Sequence, residues 1–233
     1  LAYMDIEHNL LNVRERIAQA CARVKRSPED VEIVAVTKYV SLATTQAAIE
    51  AGIRHLGESR TQDAIPKWNA LGADAAVWHF IGHLQTNKVR EMIGRFPYVH
   101  SLDRLSLATE LNRRGVAAGV TTKCFLQVNI SGEESKHGLA PEEAADFLNA
   151  VHNLTHLEVI GLMTMAPYTE NPEETRPVFQ GLRELRDRLQ EKNIPNAPLA
   201  HLSMGMSNDY EIAVEEGATF IRLGSTLVGD ERE

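Results

Sequence analysis

A chain of 233 residues that is 43% hydrophobic and 24% charged has the composition of a globular protein with a full-sized core, and its length suits one domain over residues 1–233. A net charge of −8, with no long Lys/Arg cluster, excludes the basic footprint of a nucleic-acid binder. Two distant cysteines, Cys21 and Cys124, exclude a disulfide framework or thiolate metal site and predict buried thiols in a reducing compartment.

In chain order, Leu1 to Asp5 carry no basic stretch followed by an apolar run, and no later segment approaches the length of a bilayer span. A cytoplasmic protein without a membrane partner is expected. Over residues 5–25, Ile6, Leu10, Val13 and Ile17 recur at helical spacing. Beyond this helix, apolar runs at 31–38, 53–59, 77–83, 98–103, 123–131, 157–166, 199–207 and 220–229 alternate with stretches of helical period, such as 41–52, 104–114, 141–154, 173–193 and 208–217. Strand–helix alternation implies parallel strands with helical crossovers. Eight such units closing on themselves give an α/β fold of the (β/α)8, or TIM-barrel, type. The competing arrangement, an open doubly wound sheet, lacks its Gly-x-Gly-x-x-Gly fingerprint after the first strand, which ends in Thr37-Lys38. The chain stops at Glu233 soon after the eighth run, so the extra N-terminal helix is expected to fill the place of an eighth crossover helix.

The active face of a TIM barrel lies at the C-terminal ends of its strands. The residues there are Lys38, Glu58 with Ser59, His83, Asp103, Asn129 with Ser131, Thr164, Ser203, and Arg222 with Gly224 and Ser225. Lys38 follows Ile33-Val34-Ala35-Val36, and partial desolvation at the barrel mouth would free its amine to attack an aldehyde. The plainer alternative is a lysine that snorkels into water. The segment Leu202-Ser203-Met204-Gly205-Met206-Ser207-Asn208-Asp209 joins strand seven to a helix and Arg222-Leu223-Gly224-Ser225-Thr226 finishes strand eight; these two loops form the standard phosphate site of this architecture. Taken singly, Gly205 and Gly224 could merely permit turns and Ser207 could cap the next helix. Strand alternation turns Arg222 inward, where it either pairs with a carboxylate or donates to a pyridine nitrogen. In the second case the ring nitrogen stays unprotonated, because a guanidinium does not give up its proton, and the ring is a weak electron sink. His79 and His83 suit a core or rim position, with no metal spacing, and no metal is expected. The loop 132–138 is read as a solvated turn that could move over the mouth. Met163, Met165, Met204 and Met206 are read as core filler, some of them touching a ring.

The motifs Val36-Thr37-Lys38, Gly57-Glu58, His79-Phe80-Ile81-Gly82-x-Leu84-Gln85-x-Asn87-Lys88, Ser135-Lys136-x-Gly138, Gly161-Leu162-Met163, Ser203-Met204-Gly205-Met206-Ser207 and Arg222-x-Gly224 together span nearly the whole chain. In number and order they resemble the pyridoxal phosphate homeostasis protein family. The resemblance implies a fold like the N-terminal domain of alanine racemase, the fold type III of pyridoxal phosphate (PLP) proteins. It implies PLP as cofactor on Lys38 and Arg222 facing the pyridine nitrogen. Ser203, Gly205, Ser207, Gly224 and Ser225 would surround the phosphate, with Met163 and Ser59 also at the cofactor. Ser59 stands where the family usually has Asn, which puts one polar contact near the ring in doubt. Ser225 stands where Thr is usual and keeps the hydroxyl.

The role implied is maintenance of vitamin B6 and amino-acid pools, with PLP-dependent apoenzymes as candidate partners and no reaction of its own. The alternative is a PLP-dependent amino-acid racemase of limited activity, which needs a base on each face of the substrate Cα. In alanine racemase the second base is a tyrosine supplied with the help of a second domain and the partner subunit; without that domain, a monomer is expected here. A Schiff-base aldolase acting on a phosphorylated sugar would also use the same lysine and phosphate loops.

Overall fold

The computed structural model describes residues 5–134 and 137–232. Each apolar run coincides with one strand, β5 starting one residue before its run: β1 (Glu32–Val36), β2 (His55–Glu58), β3 (Val77–Phe80), β4 (Tyr98–Leu102), β5 (Thr122–Gln127), β6 (Leu157–Met163), β7 (His201–Ser203) and β8 (Phe220–Leu223). All pair in parallel in sequence order, and β8 closes on β1 to complete the barrel. Several runs overshoot their strands because the apolar pattern continues into the loops of the mouth.

The helices are α1 (Ile6–Arg23), α2 (Leu42–Glu50), α3 (Thr61–Leu71), α4 (Val89–Met92), α5 (Leu105–Ala118), α6 (Ala144–Val151), α7 (Arg176–Gln190) and α8 (Tyr210–Glu215). Asp5 caps α1 by accepting from the His8 N–H at 3.0 Å, and the buried stripe Ile6, Leu10, Val13, Ile17, Ala20 and Cys21 faces the barrel. Arg23 pairs with Glu215 of α8 at 2.8 Å, and Arg26 donates to the carbonyls of Val214 and Ala218 at 2.6 and 2.9 Å. α1 thus packs beside α8, in the place that the sequence assigns to an eighth crossover helix. α3 and α4 lie outside the segments read as helical. α3 contains Pro66, a residue that lacks a backbone donor, and α4 is only 4 residues long, too short to show a period.

Cys21 and Cys124 are buried free thiols, and burial pushes both above the usual thiol range. No helix among the described residues is long and apolar enough to cross a membrane.

The barrel interior is only partly apolar. Val34, Phe125, Ile160, Met163 and Phe220 form its greasy part, with Tyr98 and Met165 against them. Beside them runs a chain of side chains from β2, β3, β4 and β7. His55 Nδ1 lies 2.9 Å from His79 Nε2, His79 Nδ1 lies 2.8 Å from His100 Nε2, and His100 Nδ1 lies 2.7 Å from Ser203 Oγ. His79 is therefore a satisfied core histidine. The Phe220 ring sits within 5.2–6.3 Å, centroid to centroid, of His55, His79, His100, His201 and Phe125, and it helps keep water from these bonds.

Close approach of β6 to β7 explains the glycine of Gly161-Leu162-Met163. A Cβ at Gly161 would lie 2.1 Å from the His201 carbonyl oxygen, which no rotamer relieves. Gly161→Ala should therefore cost about 1–3 kcal/mol in urea unfolding, in the range of overpacked cores; an unchanged midpoint would contradict the close β6–β7 contact.

Burial holds the imidazoles of His79 and His100 well below the ordinary histidine range, so both are neutral in the folded protein. The unfolded chain takes up protons below about pH 6.5 that the folded barrel refuses. Stability is thus undiminished above about pH 6.5 and is lost below it, by up to about 1.4 kcal/mol per pH unit for each imidazole. Urea midpoints should fall far more between about pH 6.5 and 5.5 than between about pH 7.5 and 6.5. Equal midpoints across all three would contradict neutral core histidines.

Candidate functional site at the barrel mouth

Lys38 follows β1 by two residues and is half-buried. The backbone that presents it is held on three sides. Thr37 N–H donates to the Gly57 carbonyl at 3.0 Å, and the Thr37 carbonyl accepts from Lys67 Nζ of α3 at 2.6 Å. Glu231, from the C-terminal tail, donates its N–H to the Tyr39 carbonyl at 3.0 Å while its carboxylate accepts from the Ser41 N–H at 2.8 Å. The Lys38 ammonium lies 4.9 Å from the centroid of the Tyr39 ring.

Glu58 does not join Lys38 at the mouth as its position at the end of β2 suggested. Strand alternation turns it outward, where it is fully buried and paired with Lys67 at 2.7 Å. Burial pushes its carboxyl above the usual range despite the lysine. This pair anchors the Thr37 carbonyl and so supports Lys38 from behind.

Barrel closure sets β8 beside β1, with Ala35 opposite Leu223, so the loop after β8 shares a rim with Lys38. The loop after β7 lies next to it. Gly205 has φ +104°, and a Cβ there would come within 2.7 Å of Ala213 Cβ, so only glycine lets this loop pass over α8. A Cβ at Gly224 would meet nothing nearer than Val36 at 3.6 Å; no protein atom demands a glycine there, and the space above it stays open to the mouth. Ser207 Oγ lies 2.9 Å from Thr226 Oγ1 and accepts from the Thr226 N–H at 3.3 Å, which ties the two loops together. Ser207 is thus engaged with the neighbouring loop, and the N-cap position of α8 is Asp209. Among the described residues, the N–H groups of Ser207, Asn208, Gly224 and Ser225 make no hydrogen bond. Unused donors, small residues and hydroxyls at adjoining loops suit a phosphate.

Arg222 is 3% exposed in the interior. Its Nη1 donates to Ser203 Oγ at 2.7 Å and its Nη2 to the Thr164 carbonyl at 3.0 Å. Burial pushes its pKa down to about 10, with Asp209 opposing the shift, so the group stays cationic at neutral pH. The Arg222 guanidinium thus donates to two neutral groups, with the Asp209 carboxylate acting on it electrostatically. Asp209 itself accepts the Met206 N–H at 2.8 Å and stiffens the loop. Ser203, expected at the phosphate, is fully buried, and its hydroxyl is hydrogen-bonded to Arg222 and His100. Met163 lies in the inner apolar cluster and Ser59 is half-buried against Gly82. Met206 is 41% exposed at the mouth, so it is not core filler. Glu231 was missed: its partners Tyr39, Ser41 and Thr44 are far off in sequence, and no motif spacing betrays it.

Opposite the phosphate loops, single ligand atoms of His83, Asp103 and His137 lie within 4.8 Å of one another, brought together from three loops. Arg104 pairs with Asp103 at 2.8 Å and compensates the one carboxylate there, which weighs against a cation. Ser135 and Lys136 of the glycine-bounded loop lie outside the described residues. A larger cleft, about 710 Å³, opens near the N-terminal ends of β2 to β5 among Arg54, Trp68 and Arg95, at the end of the barrel away from Lys38.

A family model described as the alanine racemase N-terminal domain matches residues 4–232. The pyridoxal phosphate homeostasis protein of Aquifex aeolicus is 41% identical over 229 residues, covering 98% of this chain and 100% of that protein. Its Escherichia coli K12 counterpart is 36% identical, over 97% of this chain and 96% of that one. Among solved structures, PipY of Synechococcus elongatus PCC7942 with PLP bound has 36% identity and a TM-score of 0.80, over 91% of this chain and 100% of that one. Alanine racemase of Clostridium difficile 630, at 16% identity and TM-score 0.73 over 96% of this chain and 56% of that one, shares the fold. With a full-length family match and relatives above one-third identity, the chain belongs to the pyridoxal phosphate homeostasis protein family, built on the alanine racemase N-terminal domain.

Proposed function

We propose that this protein binds PLP through Lys38 in the cytoplasm and keeps the cofactor available to PLP-dependent apoenzymes, with no turnover of its own. The observation that carries this reading is the placement of an amine, a buried cation and an anion cradle around one mouth. Lys38, Arg222 and the Gly205–Ser207 and Gly224–Thr226 segments all follow or end strands β1, β7 and β8, which are neighbours in the closed barrel.

The roles of the residues follow from their chemistry. The Lys38 amine condenses with an aldehyde, forming an imine and releasing water. The loop N–H groups and the Ser207 and Ser225 hydroxyls bind the phosphate, and Ser59 and Met163 border the ring. Arg222 donates to the ring nitrogen without protonating it. Bound PLP would supply an electron sink for amino-acid chemistry, and an unprotonated ring nitrogen keeps that sink weak. A holder of PLP gains from this: the cofactor is retained and little is turned over. The naming of close relatives as PLP homeostasis proteins and the PLP bound in PipY support the same assignment.

Borohydride reduction of the PLP-loaded protein, followed by peptide mapping, should place the label on Lys38, and Lys38→Ala should fall to background labelling. Label that persists at full level in Lys38→Ala would overturn the assignment, as would conversion of any L-amino acid to its enantiomer at an enzymatic rate.

A further inference from the structure

The histidine chain of the interior continues at both ends. At the mouth end, Ser203 Oγ accepts from Arg222 Nη1 at 2.7 Å. At the other end, His55 Nε2 lies 3.3 Å from Glu32 Oε2 at the start of β1, with the Glu32 side chain 51% exposed. Glu32 and His55 both line a cleft of about 250 Å³ together with Arg14 and Arg54. A line of hydrogen bonds therefore runs from the buried guanidinium down to His55, whose Nε2 lies within ion-pair distance of the half-exposed Glu32 carboxylate at the floor.

The two ends dictate the direction of every bond between them. A guanidinium only donates, and an ionised carboxylate only accepts. Ser203 takes a proton from Arg222 and has its own to give to His100 Nδ1. A neutral imidazole has one N–H, so His100 then donates from Nε2 to His79 Nδ1 and His79 from Nε2 to His55 Nδ1, which leaves the His55 proton on Nε2, facing the Glu32 carboxylate. The opposite direction would set the lone pair of His55 against the Glu32 carboxylate, two acceptors at 3.3 Å.

We infer that Glu32, His55, His79, His100 and Ser203 form a polarised relay in which a carboxylate at the barrel floor fixes three histidine tautomers and, through them, the hold on Arg222 at the mouth. These are positioning residues; they act on the cofactor face through Arg222. The charged groups that bear on them are Glu32 and Arg54 at His55, Arg222 at His100, and Asp209 at Arg222. Burial favours neutral imidazoles at His79 and His100, as the relay requires. The consequence for PLP rests on the function proposed above; the relay itself does not.

The test uses cofactor-free protein labelled with 15N-histidine and long-range 1H–15N correlation at neutral pH, which reads the proton-bearing nitrogen of each ring. His55, His79 and His100 should all carry the proton on Nε2. Glu32→Lys replaces the acceptor with a donor at a half-exposed position and should move the proton to Nδ1 on all three. Glu32→Gln, whose carboxamide oxygen still accepts, should keep the wild-type pattern. A wild-type Nδ1–H on any of the three rings would overturn the relay, even if Glu32→Lys did not fold. So would a folded Glu32→Lys in which His100 is unchanged. Because no PLP is present, failure here is distinct from failure of the Lys38 labelling.

Discussion

Burying the Arg222 guanidinium inside a closed barrel imposes a condition on everything around it. A charge moved out of water costs several kcal/mol unless hydrogen bonds replace its hydration. Here the replacements come from a hydroxyl and a main-chain carbonyl, Ser203 Oγ and Thr164 O. Using Ser203 in this way leaves its own proton to be accepted, and His100 does so. Each further histidine then needs the next, down to Glu32. The polar interior is thus a consequence of one cation, and Phe220, packed against the rings of that chain, helps keep the surroundings dry enough for the bonds to hold.

The same cation decides what the mouth can do. Lys38 follows the first strand and Arg222 lies in the last, 184 positions apart by number, and in an open sheet of sequential order these strands would sit at opposite edges. Closure of β8 on β1 brings them together. The helix layer then fixes the lysine: Lys67 of α3 grips the Thr37 carbonyl, and Glu231 ties down Tyr39 and Ser41. A lysine whose backbone is held this way is rigidly presented, with its ammonium over the Tyr39 ring. The loops after β7 and β8, joined through Ser207 and Thr226, complete the constellation with N–H groups that no acceptor among the described residues uses.

Much of this is legible in the sequence. Eight apolar runs separated by helical stretches suffice for the barrel, because alternation of strand and helix leaves few other closures. The strand-end rule picks out Lys38 and Gly224, the loop after the seventh strand offers Ser207, and period-two alternation turns Arg222 inward. The relay is not legible: His55, His79, His100 and Ser203 come from four strands, and their contacts depend on barrel register, which no local pattern encodes. His100 sits inside an apolar run and reads as an ordinary strand residue. Glu58 and Met206 mislead for a related reason. Each lies where a strand ends, and whether the side chain then faces the mouth, the helices or solvent is set by parity and loop path.

A crystal structure of the protein with PLP bound tests the central claim most directly. It should show continuous density from Lys38 Nζ into the cofactor, the phosphate against the N–H groups of Ser207, Gly224 and Ser225, and the ring nitrogen within hydrogen-bonding reach of Arg222. A phosphate held elsewhere, or a ring nitrogen turned away from Arg222 toward a carboxylate, would contradict it.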